Sequence, residues 1–172
     1  VVALLSFNEP ASRFNYTFNK FTLDNWLDPC APAGLCESLS LSIRIAALAT
    51  LVATALGTLM AFALVRHRFR GRSLTNLLIF LPMATPEVVM GSSLLALFVS
   101  GLQMITLGFW TILLAHIMFC LSFVVVTVKA RVASMDPNLE KAAMDLYASE
   151  FSAFVRVTLP LALPGIVAAA ML

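Results

Sequence analysis

Apolar residues gather in four stretches, 38–65, 74–98, 109–128 and 159–172, separated by short polar segments. The first three are long enough for a helix to cross a bilayer, which takes roughly 20 residues. In lipid each stretch must satisfy its own backbone hydrogen bonds, and a helix is the structure that does so within one segment. The expected fold class is therefore all-α: a polytopic transmembrane helix bundle forming one domain over 1–172. Composition agrees, with 60% hydrophobic and 12% charged residues against about 45–50% and 25% in soluble domains. Residues 1–5 are too short to cross and are expected to be the end of a preceding span. Residues 159–172 are expected to begin a further one, so the chain reads as truncated at both ends.

Charge orients these spans. Arg66-His67-Arg68-Phe69-Arg70-Gly71-Arg72-Ser73 packs four arginines into one short turn, and the positive-inside rule puts 66–73 in the cytoplasm. The loop 6–37 and the turn 99–108 are then external, and 129–158 is cytoplasmic. One tight basic cluster in a chain of net charge +2 is no footprint for nucleic acid, and no such partner is expected. In the external loop, 21–27 is expected to be a short amphipathic helix resting Phe21, Trp26 and Leu27 at the interface. Asn15-Tyr16-Thr17 fits a weak glycosylation sequon. Cys30 and Cys36 either close a disulfide, which an external loop permits, or remain thiols.

Within the spans few residues carry chemistry. Arg44 either snorkels to the interface or pairs inside the bundle, and Gly57 belongs to a small-residue packing face. The span 74–98 is expected to kink, because Pro82 and Pro86 remove backbone donors near mid-membrane. Thr85, Pro86 and Glu87 sit at that kink, and Glu87 is the acidic residue inside a span. Either it stabilises a cation on a translocation path, or it is a buried partner of Arg44 or a neutral acid. His116 and Cys120 share a helix face at a spacing that suits a metal, but two ligands without a third favour packing, and no metal or other cofactor is expected. The chain has no Gly-x-x-x-x-Gly-Lys-Ser/Thr phosphate loop and no paired-carboxylate or nucleophile–base constellation. It is not an enzyme by its own residues.

The segment 136–160 is the long water-compatible stretch between apolar ones. Asp136 is a helix cap and Pro137 a first helical residue. Leu139, Ala142, Ala143 and Leu146 then fall on one stripe, with Glu140, Lys141 and Asp145 off it. A partner can approach closely over the Ala-Ala pair, or the stripe packs on its own bundle.

Residues 139–149, with Arg156-Val157-Thr158-Leu159-Pro160-Leu161 after them, resemble the EAA loop of ABC importer permeases. That motif reads Glu-Ala-Ala, three residues, Gly, nine residues, Ile, one residue, Leu-Pro. Ala142, Ala143, Leu159 and Pro160 match it, whereas Lys141 stands at the Glu position, Tyr147 at the Gly position and Val157 at the Ile position. Residues 66–71, 86–90 and 116–128 further resemble permease subunits of spermidine/putrescine importers, with Ser122 in place of a proline.

The resemblance implies a type I importer permease core (MetI-like) in a bacterial inner membrane. It implies an ABC ATPase subunit dimer, a second permease subunit and an extracytoplasmic solute-binding protein as partners. Glu140, Lys141, Ala142, Ala143, Asp145, Leu146 and Tyr147 would then couple to the ATPase. Lys141 reverses the motif's charge, which Glu140 beside it partly replaces. Tyr147 stands where glycine allows positive φ, so the helix exit is strained or takes another course. A same-class permease for iron, an aminophosphonate or sulfate, and a structural or channel subunit without an ATPase, stand as alternatives.

Overall fold

A computed structural model of the chain describes residues 2–9, 17–32, 34–101 and 106–172. Asn15 and Tyr16 of the sequon, and 102–105 of the turn expected at 99–108, lie outside the described residues. The chain divides into two compact units, Val1–Arg44 and Ile45–Leu172.

The first unit is built around a buried amide. A one-turn helix α1 (Val2–Leu5) leads into β1 (Asn8–Glu9), which pairs antiparallel with β2 (Lys20–Phe21), Asn8 opposite Phe21. A buried amide must find partners or pay its desolvation. Asn8 Nδ2 donates to the Thr17 carbonyl at 2.8 Å, and its Oδ1 accepts from the Asn19 N–H at 2.6 Å. The Phe7 ring stacks on Phe21 and Trp26, with centroids 5.9 and 5.6 Å away. The helix expected over 21–27 is accordingly shorter: Phe21 belongs to β2, and α2 covers Asp24–Leu27. Local bonding sets that start, since the Asp24 N–H donates to Thr22 Oγ1 at 3.2 Å and so turns the chain after the strand. Cys30 and Cys36 are joined in a disulfide, with Cα atoms 5.4 Å apart.

The second unit holds most of α3 (Leu35–Arg66), then α4 (Arg72–Ala84), α5 (Glu87–Ala96) with a π-helical turn Leu97–Gly101, and α6 (Phe109–Ala133). After α7 (Asn138–Asp145) the chain is helical throughout Glu150–Ala170. That run comprises α8 (Glu150–Ala153), a π-helical turn Phe154–Thr158 and α9 (Leu159–Ala170), so helix begins well ahead of the span start expected at 159.

Helix α6 is the hub. Val124, Val128 and Val132 meet Ala53, Ala61 and Phe62 of α3 and Ala162 and Ala169 of α9. Association of helices in lipid relies on close packing, which small residues permit. Two glycines mark the tightest approaches: a Cβ on Gly57 would lie 2.6 Å from Val124 Cγ1, and one on Gly165 2.6 Å from Arg131 Cβ. Polar ties add to the packing. Lys129 Nζ donates to Asn76 Oδ1 at 2.6 Å, and Arg131 Nε donates to the Leu161 carbonyl at 2.9 Å.

Where a kink was expected, α4 and the helix that follows meet at 106°. Thr85 between them is extended, φ −88° and ψ 133°, the conformation favoured in a residue that precedes proline. His116 is exposed rather than packed in the core, and its Nδ1 bonds the Ile112 carbonyl at 2.9 Å. Cys120 beside it is half-buried, and no group of three or more metal-ligating side chains gathers among the described residues.

Candidate functional site: the α7 surface and the break at Glu87

Asp136 opens α7. Its Oδ1 accepts from the Asn138 N–H at 2.9 Å, and Pro137 at φ −66° leads into the helix. The exit is equally defined. Tyr147 N–H donates to the Met144 carbonyl at 3.0 Å and Ala148 N–H to the Ala143 carbonyl at 3.2 Å, the paired bonds of a Schellman turn. Such a turn needs a left-handed residue, and Tyr147 supplies it at φ 66°. Without glycine that conformation costs roughly 1–2 kcal/mol, so of the two exits left open in the sequence the chain takes the strained one.

Most of the apolar stripe is open to solvent. Leu139 is 44% exposed, Leu146 81% and the neighbouring Phe151 77%, while Ala142 is exposed and Ala143 half-buried. Lys141, Asp145 and Tyr147 are exposed beside them. The stripe is therefore available to a partner, and packing on its own bundle accounts for little of it.

Glu140 departs from this group. Its Oε1 lies 2.7 Å from Arg66 Nη1 and also accepts from Thr158 Oγ1. Arg66 Nη2 donates to the same Thr158 hydroxyl at 3.4 Å. The guanidinium sits over the Phe62 ring at 5.5 Å, and Phe62 meets Phe154 edge-on at 5.3 Å. Burial pushes the Glu140 carboxyl up, but the hydrogen bonds from Thr158 and Arg66 and the Arg66 charge outweigh it and hold the group below the usual carboxylate range. A cleft of about 730 Å³ opens beside this cluster, with Val65, Met135, Leu139 and Leu161 in its walls. The Glu140 carboxylate, expected beside Lys141 to replace part of the motif's charge, is engaged within the chain by Arg66 and Thr158. Arg66, Thr158 and Phe62, which surround Glu140, are not signalled by the sequence. Arg66 reads from sequence only as one of four topology-setting arginines, and no local spacing signals a partner 92 residues away.

Glu87 is the first residue of α5, where a carboxylate suits the helix dipole. It borders a cavity of about 270 Å³ with Thr50, Thr54, Phe119, Cys120 and Phe123. Thr54 Oγ1 is buried and has no hydrogen-bond partner among the described residues. Of the three residues expected on a path, Glu87 lines the cavity and Thr85 and Pro86 do not; Thr85 Oγ1 instead donates to the Leu81 carbonyl at 2.7 Å. Glu87 makes no ion pair among the described residues.

Over residues 53–172 the chain matches the family described as binding-protein-dependent transport system inner membrane component. It is 40% identical to the spermidine/putrescine transport system permease protein PotC of Escherichia coli K12, over 98% of this chain and 62% of that protein. The protein of the same name from Haemophilus influenzae is 47% identical over 73% of this chain and 48% of its own length. The putrescine transport system permease protein PotI of Escherichia coli K12 is 40% identical over 77% of this chain and 49% of its own. The chain spans less than two thirds of the length of each of these relatives.

Proposed function

The chain belongs to the family of binding-protein-dependent transport system inner membrane components, and we propose that it lines the solute path of an ATP-driven polyamine importer and couples to a separate ATPase through α7. The observation that carries this reading is the solvent-facing stripe of Leu139, Ala142 and Leu146 on a short helix between spans. An apolar helix face left open to water fits insertion into a partner's groove. ATP hydrolysis falls to the ATPase subunit dimer, and a second permease subunit and an extracytoplasmic binding protein complete the system. The arginine turn supports a cytoplasmic α7, and the Cys30–Cys36 disulfide supports an oxidising compartment for the opposite loop.

Polyamine is the proposed substrate on two grounds: the relatives carry spermidine and putrescine in their names, and a carboxylate stands at the mid-membrane break. An ammonium group passing Glu87 would be stabilised there, whereas an anion would be repelled.

Co-purification from membranes tests the docking. The ATPase is expected to accompany the full-length wild type and to be lost on Ala142→Asp, because a buried unpaired carboxylate in the contact costs several kcal/mol. Retention of the ATPase by that variant refutes α7 as the docking element. For the substrate, Glu87→Gln is expected to lower putrescine uptake about tenfold or more, equivalent to ~1.4 kcal/mol, at unchanged abundance. Putrescine uptake by that variant at the wild-type rate removes the cation role of Glu87, whereas a wild type that imports no putrescine leaves a permease for another solute.

A further inference from the structure

Helix α7 is eight residues long, too short to hold itself together in water, and its most apolar side chains face outward. What fixes it lies on its other side. It packs along α8 and the π-helical turn Phe154–Thr158, and Glu140 reaches across to the end of α3 through Arg66. We propose that Arg66, Glu140 and Thr158 form a strut that transmits movement of α7 to the inner ends of α3 and of the Glu150–Ala170 helix. This makes Arg66 and Glu140 positioning residues for coupling, an inference that rests on the docking reading of α7.

The geometry suits a strut rather than an incidental surface pair. One carboxylate oxygen receives both the guanidinium and the Thr158 hydroxyl, and the same guanidinium reaches Thr158, so three elements are joined in a closed triangle. Arginine's planar fork can address two acceptors at once, which a lysine ammonium on a flexible stem does less well. The guanidinium is further held over Phe62, which Phe154 buttresses edge-on from the π-helical turn. The Arg66 and Glu140 side chains are 32% and 24% exposed, so the pair is partly shielded and screening weakens it less than a fully exposed pair. A push on the open face of α7 is opposed on the far side by this triangle. Beyond it, α3 is a single helix of 32 residues. Both receiving elements therefore continue directly into spans.

The test uses the full-length permease reconstituted in liposomes with its ATPase, second permease subunit and binding protein, and reads ATP hydrolysed per putrescine imported. Glu140→Gln and Arg66→Ala are each expected to raise that ratio at least threefold while the complex still assembles. The double variant is expected to be no worse than either single one, because both cut the same connection. Arg66→Lys, which keeps the charge, is expected to fall between wild type and Arg66→Ala; a defect from misfolding alone would not follow that order. If Glu140→Gln does not assemble, Thr158→Val decides in its place: a raised ratio supports the strut and a wild-type ratio overturns it. An assembled complex whose single variants keep the wild-type ratio overturns the strut and leaves docking intact. An ATPase that does not join the wild-type permease overturns docking and the strut together.

Discussion

Two stretches of the chain carry prolines four residues apart, and they end differently. Pro82 lies inside α4 and Pro86 at the bend of 106° that follows it, whereas Pro160 and Pro164 lie within a helix that runs unbroken over Glu150–Ala170. Each proline removes a donor and presses its ring on the carbonyl four residues back, so local chemistry predicts the same outcome in both. The surroundings differ. A π-helical turn, Phe154–Thr158, precedes Pro160 and contains Arg156, the residue whose carbonyl the proline ring would press. The run also starts on a side-chain cap, with Ser149 Oγ accepting from the Ser152 N–H at 3.2 Å. Downstream, Ala162 and Ala169 are buried on α6 and Arg131 Nε donates to the Leu161 carbonyl. By contrast, α5 buries none of its residues and has no side-chain cap at Pro86. The helix that carries Pro160 and Pro164 is held on α6 on both sides of them, whereas in the bent pair α4 is held on α6 but α5, after Pro86, buries nothing. The bend in turn sets Glu87 at a helix start beside a cavity, which an unbroken span would not do.

The largest effect on this contrast should come from Gly165→Val. Its new Cβ would meet Arg131 Cβ at 2.6 Å, and overpacking of this kind costs about 1–3 kcal/mol. Thermal unfolding in detergent should show the loss, and a Tm equal to wild type would mean that the α6 contact does not keep α9 straight. Pro86→Ala addresses the other side. The distance between spin labels at positions 74 and 95 is expected to lengthen as α4 and α5 move toward one axis, with a change in stability below about 1 kcal/mol. A constant distance would assign the bend to tertiary contacts instead of the proline.

The smallest effect concerns Thr158 at the end of the π-helical turn. Glu140 has a depressed pKa, so its contribution is fully present above the ordinary glutamate value of 4.5 and is lost as pH falls through the lower folded value. A loss of about 1 kcal/mol or less is expected across that acid range, and Glu140→Gln should flatten it. An acid profile identical in both proteins would detach the π-helical turn from the Glu140 contact.

The same division between local and distant causes decides how much of the molecule was legible beforehand. Apolar runs of bilayer length announce spans because lipid leaves the backbone no alternative. Asp136 and Pro137 announce the start of α7 because caps act within one turn. The awkward exit was legible as well, since a single position, Tyr147, stands where positive φ is needed. The first unit is less legible: the local pattern of Phe21 with Trp26 and Leu27 suggests a helix, whereas its partner Phe7 lies across a strand pair. The apolarity of its span suggests a packed His116, yet it is exposed, because apolarity does not say which face meets a neighbour.

The amino-acid sequence by itself determined which stretches have to be helical, how α7 begins, and which charged turn separates the spans, because these depend on neighbours within a turn or two or on the bilayer. The tertiary structure alone decided that one proline pair breaks its helix and the other does not. It also decided that the stripe of α7 faces outward and that Glu140 turns inward to Arg66 and Thr158. Those outcomes rest on packing and ion pairing between residues far apart in the chain, whose energies no local pattern encodes.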